Sequence, residues 1–220
     1  MMNSKEKSQS NVWRRNAKFF IDTFAYWERN GVTDHSTTAK ALVAEKPKSI
    51  LEIGSGSGIL YKRLLQAGFE GKYLGMDQTP EFVTYCNDLF GGGLFRVGKM
   101  TEAYIPGRWD IGIMQDVLRH NTIEDRKLII KNVVPHITKK LIMAEPLGDD
   151  DAVWIELTMT RPWDNEKANL QYYDGSLNLD NLIELIGSLK PIETYKTIKR
   201  TAFVSDTKDN YFIIVKFKED

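Results

Sequence analysis

Between Trp13 and Arg29, Phe20, Phe24 and Trp27 fall on one helical face, with Phe19 and Tyr26 beside it, and Gly31 closes the stretch. Apolar residues spaced by three and four mark an amphipathic helix. A second helix is expected from about Ser36 to Glu45, with Asp34 or Ser36 as N-cap and Pro47 as its stop. Short apolar runs then alternate with helical patterns. Strands are expected at Ser49–Ile53, Lys72–Met76, Leu94–Val97, Ile111–Gln115 and Lys140–Ala144. Between them fall helices carrying Leu60, Leu64 and Leu65, then Phe82, Tyr85 and Leu89, then about Ile123 to Val134. Pro80 stands near a helix start, where its missing N–H costs nothing. Strand–helix alternation of this kind builds a parallel sheet with helices on both faces.

The rhythm breaks after Pro146. Gly148–Asp151 is an acidic loop, Val153–Met159 reads as helix, and Arg161–Ser176 reads as an irregular segment rich in aromatic residues. A helix at about Leu179–Leu189 follows, then strands near Ile192–Ile198 and Tyr211–Phe217, with a turn signal at Asp206–Asn210.

The composition, 42% hydrophobic and 27% charged over 220 residues, supports a core that needs neither disulfide nor metal. The formal net charge of zero argues against a nucleic-acid partner, which calls for a basic patch. Cys86 is the single cysteine, so no internal disulfide forms. No apolar run approaches the roughly 18 residues that span a bilayer. The polar stretch Met1–Asn11 lacks the apolar segment of a signal peptide. The expected location is therefore the cytoplasm, without membrane association.

The densest chemical signal is Leu51-Glu52-Ile53-Gly54-Ser55-Gly56-Ser57-Gly58, at the end of the first strand and just before a helix. Glycines let the backbone turn sharply and let a ligand approach without meeting a Cβ. A helix start adds unpaired N–H donors and a positive dipole end. The combination suits an adenosyl ligand or a dinucleotide. A dinucleotide fingerprint would place a glycine where Ile59 stands, and no Gly-Lys-Ser/Thr follows for a Walker loop.

Glu52, Gly54, Gly56 and Gly58 together resemble the first motif of the class I S-adenosylmethionine-dependent methyltransferases: an acid, then x-Gly-x-Gly-x-Gly. The resemblance covers about residues 36 to 146. It implies that Gly54, Ser55, Gly56 and Gly58 wrap the amino-acid and ribose parts of S-adenosylmethionine, while Glu52 fixes the loop and the ammonium group. Asp77 stands about 25 residues after Glu52, at the end of the second strand, where an acid accepts ribose hydroxyl protons. NAD enzymes use an acid here too, so Asp77 does not discriminate. Gln78 would lie near the adenine. The family often carries an acid after strand three. Arg96–Thr101 has none, so Met100 and Thr101, or the backbone there, would meet the adenine side.

Trp109–His120 resembles the family's fourth motif, with Asp110 opening the strand, Gln115 and Asp116 ending it, and His120 in a Leu-x-His slot. Gln115 is assigned to the cofactor. His120 and Asp116 are the candidate general bases, with His35 behind them. The resemblance further implies a three-layer, Rossmann-like α/β sheet of about seven strands, mostly parallel with an antiparallel last strand. The expected organisation is a disordered tail (1–10) and one methyltransferase domain (11–220). Within that domain lie N-terminal helices (11–46), a cofactor-binding core (47–146), a substrate-side insert (147–190) and closing strands (191–220).

Methyl transfer from a sulfonium is an in-line displacement, so much of the rate can come from positioning. A base is needed only where the nucleophile must lose a proton. The chain lacks the Asn/Asp-Pro-Pro-Tyr of base N-methylases after strand four and shows no metal-ligand cluster there. The expected acceptor is a small molecule, or failing that a protein side chain. Phe24, Trp27, Trp154, Trp163 and Tyr172 are candidate walls, and Arg161 a candidate partner for an acidic group. A nicotinamide-dependent oxidoreductase and a non-catalytic adenosyl-binding scaffold remain as alternatives. No oligomeric state follows from the sequence.

Overall fold

A computed structural model describes residues 9–32, 35–161, 163–200 and 209–218. The elements in chain order are α1 (Gln9–Arg15), α2 (Ala17–Arg29), α3 (His35–Ala44), β1 (Ser49–Ile53), α4 (Ile59–Gln66), β2 (Lys72–Asp77), α5 (Pro80–Phe90), β3 (Phe95–Val97), β4 (Trp109–Gln115), α6 (Ile123–Val133), β5 (Ile137–Pro146), β6 (Val153–Thr160), β7 (Lys167–Asp174), α7 (Leu179–Leu189), β8 (Ile192–Lys199) and β9 (Asn210–Phe217). The expected cap Asp34, the tail up to residue 8, and the turn from 206 to 208 lie outside the described residues. Gln9 and Ser10, expected in the tail, stand in α1.

The main sheet has seven strands in the order β3-β2-β1-β4-β5-β9-β8. β1 to β5 pair in parallel, and β9 runs antiparallel to both neighbours. Every residue of β1 is buried, because helices cover both faces of the sheet there. Alternate residues serve opposite faces. Leu51 and Ile53 pack with Met114, Leu141 and Ile186 on the α6–α7 side, while Ile50 packs with Ala39, Leu60 and Val83 on the side of α3, α4 and α5. The strand order reverses between β1 and β4, the place where open α/β sheets leave a crevice beyond their carboxyl ends.

Two expectations fail after Pro146. Residues Val153–Met159 form no helix: they lie in β6, which pairs antiparallel with β7 from Val153↔Asp174 to Thr160↔Lys167. The expected irregular segment after Arg161 contains β7. The β-branched residues Val153, Ile155, Thr158 and Thr160 favour extended backbone, and a matching partner strand satisfies its hydrogen bonds. This hairpin forms a sheet of its own. It packs on the N-terminal helices through Ala168 and Leu170 against Val12, Phe19 and Phe20. Among the described residues no helix is long and apolar enough to cross a membrane.

Candidate active site

A cavity of about 460 Å³ opens where the strand order reverses, between the carboxyl ends of β1, β2 and β4 and a roof made by α1, α2, β6 and β7. That volume lies within the range of small-ligand sites.

The glycine loop forms one wall through Gly54, Ser55 and Gly56. Gly54 has φ +71°, and a Cβ there would stand 2.5 Å from Cγ2 of Val117. Gly58 faces away from the cavity. It has φ +73° at the N-cap of α4, and its Cβ would meet Phe90 at 2.9 Å and Sγ of Cys86 at 3.0 Å. Its part is to let the loop close onto the core. Asp77 holds the loop from the other side: Oδ2 accepts the Gly56 N–H at 2.9 Å and Oδ1 accepts the Thr79 N–H at 2.8 Å. Burial raises the Asp77 pKa, and these N–H groups pull it back. The Gln78 N–H adds to that pull, and Asp77 lines the cavity.

Glu52 also lines the cavity and accepts the Tyr73 hydroxyl through Oε2. Burial pushes its carboxyl up to about 8, against the pull of Tyr73 and with added push from Asp77. Gln78, Met100 and Thr101 complete this half of the wall. Several buried polar atoms here have no protein partner: Oγ of Ser55, Oγ1 of Thr101, and both amide atoms of Gln115. All belong to residues that line the cavity. Such atoms are costly unless something in the cavity satisfies them.

The loop leaving β4 carries Asp116 and His120. Its position is set by Glu145, fully buried at the end of β5, which accepts the N–H groups of Val117 (2.9 Å), Leu118 (2.8 Å) and Arg119 (3.1 Å). Burial pushes Glu145 up to about 7, Asp116 adds to this, and the N–H donors oppose it. Glu145 was not among the site residues expected from the sequence. Its signal was an acid at the carboxyl end of an apolar strand. Arg126 was passed over too. It is buried and donates to the carbonyls of Leu118, Asn121, Arg119 and Ser176.

Asp116 takes a left-handed φ of +54° and lines the cavity. Its carboxylate meets Nη1 of Arg200 at 3.1 Å and Nη1 of Arg119 at 3.6 Å. Held by two guanidinium groups, it fits an anchor better than a proton acceptor. His120 differs. Its Nδ1 lies 3.1 Å from the Tyr173 carbonyl oxygen. A carbonyl only accepts, so Nδ1 carries the hydrogen and Nε2 of the neutral ring carries a lone pair. Burial, then the nearby Arg119, hold the imidazole below its ordinary 6.5, with the Tyr173 carbonyl opposing. His35 lines the cavity as well.

Of the expected acceptor residues, Phe24, Trp27 and Tyr172 line the cavity. Trp154, Arg161 and Trp163 are not on its wall. Trp154 packs edge-on against Tyr173 with centroids 5.0 Å apart. Arg161 is drawn into ion pairs with Asp22 (2.8 Å), Asp164 (2.6 Å) and Glu166. Trp163 stacks on Tyr26 at 4.3 Å. These contacts fasten the hairpin tip to α2, and the charge of Arg161 is already matched. Among the described residues no group of His, Cys, Asp or Glu could hold a metal ion.

No protein-family model matches the sequence, and no curated protein matches it. Solved structures do match. DhpI in complex with SAH aligns with TM-score 0.63 at 14% identity, covering 96% of this chain and 96% of that one. The glycopeptide N-methyltransferase MtfA aligns with TM-score 0.58 at 12% identity, covering 84% of this chain and 91% of that one. Magnesium protoporphyrin IX methyltransferase (ChlM) from Synechocystis, with bound SAH, aligns with TM-score 0.58 at 16% identity, covering 86% and 85%. The chain shares their Rossmann-like fold.

Proposed function

We propose that this chain is a class I S-adenosylmethionine-dependent methyltransferase acting on a small molecule. The observation that carries the proposal is the set of unpartnered buried polar atoms on Ser55, Thr101 and Gln115, three residues that line one cavity beside the glycine loop. A polar adenosyl compound offers these atoms partners. When bound, S-adenosylmethionine supplies a methyl group already activated by a sulfonium charge. Gly54, Ser55 and Gly56 would accommodate its amino-acid and ribose portions, with Gly58 shaping the loop from behind. Glu52 would take the ammonium group, and Asp77 the ribose hydroxyls. Gln78, Met100 and Thr101 would border the adenine, and Gln115 would bond the cofactor from the end of β4.

His120 would receive the acceptor's proton, and Asp116 would hold the loop that presents it. The roof of α1, α2 and the hairpin covers the site and suits a small acceptor over a protein side chain. The balanced charge gives nucleic acid no footing. Residues 11–220 would act as one methyltransferase domain, in the cytoplasm. The shared fold supports this reading: MtfA and ChlM are methyltransferases, and DhpI and ChlM were solved with SAH.

Titration calorimetry with S-adenosylhomocysteine and with NADH tests it. Heat from the adenosyl compound and none from NADH is the expected result. The reverse would favour an oxidoreductase. Label transfer from methyl-labelled donor to a metabolite pool would separate an enzyme from a scaffold.

A further inference from the structure

We propose that the half of the cavity under α1, α2 and the β6–β7 hairpin is the acceptor site, and that it takes a flat, neutral aromatic hydroxyl compound whose proton goes to Nε2 of His120. This rests on the methyltransferase reading.

Rings run in series from the glycine loop to His120. A Cβ on Gly56 would stand 3.8 Å from the Phe24 ring. Phe24 and Phe20 have centroids 5.6 Å apart, Phe20 and Trp13 4.6 Å, and Trp13 and His120 5.5 Å. Tyr172 closes the group, 5.2 Å from His120 and 6.1 Å from Trp13. Leu157, Met159 and Leu170 of the hairpin add aliphatic walls. Walls of this kind favour a flat ring, which buries large apolar area and finds offset or edge-on partners.

Charge selects within that shape. The ionic groups at this end are already matched: Asp116 with Arg200, and Arg119 with Asp174 at 2.8 Å and with Asp116. Lys99 also lines the cavity but is exposed, on the loop after β3. A carboxylate or an ammonium group on the acceptor would therefore be buried without a counter-charge, which is costly. A hydroxyl needs only a proton acceptor, and the lone pair of Nε2 is one. In the step, the acceptor O–H bond breaks toward Nε2 and an oxygen electron pair forms the new O–C bond to the methyl. The sulfonium sulfur keeps the electron pair of the broken S–C bond. The positive charge on sulfur at the start becomes a positive charge on imidazolium at the end. The slot sees no net gain or loss of charge.

The test titrates 2-naphthol, 2-naphthylamine, 2-naphthoate and cyclohexanol by calorimetry into protein saturated with S-adenosylhomocysteine, and runs each with methyl-labelled donor. Naphthol should bind at least about tenfold more tightly than naphthoate or cyclohexanol, and should alone yield a methyl ether. Met159→Trp, which fills the slot, should weaken naphthol by about tenfold or more and leave adenosylhomocysteine affinity unchanged. His120→Gln should retain naphthol binding and lose about 10²- to 10⁴-fold in transfer. Naphthoate binding as tightly as naphthol would overturn the proposal. So would transfer to the amine instead of the hydroxyl, or adenosylhomocysteine binding with no naphthol binding. If adenosylhomocysteine itself gives no heat, the methyltransferase reading is what fails.

Discussion

Oε1 of Glu145 accepts the N–H of Leu118 at 2.8 Å, and this bond ties the end of β5 to the loop that leaves β4. The same carboxylate takes the N–H groups of Val117 and Arg119. Glu145→Gln would keep the size but turn an NH2 group toward donors. Stability should fall by about 1–3 kcal/mol, or roughly 2–4 °C in Tm per kcal/mol at this chain length. Adenosylhomocysteine affinity should fall as well, because Gln115 ends the strand from which that loop leaves. Differential scanning calorimetry reads the first effect. An unchanged Tm would remove Glu145 from the loop's support.

Glu52 has a folded pKa of about 8 against an ordinary 4.5. Between those values the folded chain holds a proton that the unfolded chain releases. The contribution is fully present below about pH 4.5 and is lost as pH rises through about 8. Glu52→Gln should flatten that part of the Tm–pH curve. If Glu52 meets the ammonium group of adenosylhomocysteine, binding at pH 7 should release a proton. Calorimetric heats would then differ between phosphate and Tris. Equal heats in the two buffers would remove Glu52 from that role.

His120 is held below 6.5 by burial and Arg119. As a base it works deprotonated, so kcat should rise with pH through a value below 6.5 and then level. The groups that face it are Arg119, Asp116 and Asp174, with the Tyr173 carbonyl on Nδ1. His120→Gln should abolish the rise along with about 10²- to 10⁴-fold of kcat. A profile unchanged in the variant would assign the rise to another group.

Gly58 and Gly31 both have positive φ, +73° and +69°, but a Cβ on Gly31 meets nothing within 4 Å. Each Gly→Ala change should cost roughly 1–2 kcal/mol for the left-handed conformation. Gly58→Ala should cost more, because its Cβ would press on the Phe90 ring at 2.9 Å. Urea denaturation gives the difference, which isolates the packing part. Equal losses would mean that the Phe90 ring yields freely.

Arg161 joins the hairpin to α2 through Asp22. Arg161→Ala and Asp22→Ala should each raise amide exchange across residues 153–174, with the main sheet unaffected. Unchanged exchange in both would leave the apolar contacts as the sole fastening of the roof.

The strand–helix rhythm, the glycine loop and the two acids at strand ends were readable in the sequence because each is local. A buried parallel strand is a run of apolar residues, and a left-handed turn beside a helix start demands glycine. The hairpin at residues 153–174 was misread. Trp154–Met159 alternates too weakly to declare itself a strand, and only pairing with Lys167–Asp174 makes it one.

By itself, the sequence determined the order of elements as far as Pro146 and the place of the ligand loop, since period and backbone freedom are properties of neighbouring residues. Tertiary structure alone decided which candidates share a wall. Arg161 was claimed by Asp22, 139 residues away, and Asp116 by Arg200, 84 residues away. It also made Glu145 the support of the loop carrying His120, 27 residues from the Leu118 N–H it holds. The reason is physical: a charge pairs with whatever opposite charge or donor the fold brings within hydrogen-bond reach, and that distance is set by the packing of the whole sheet.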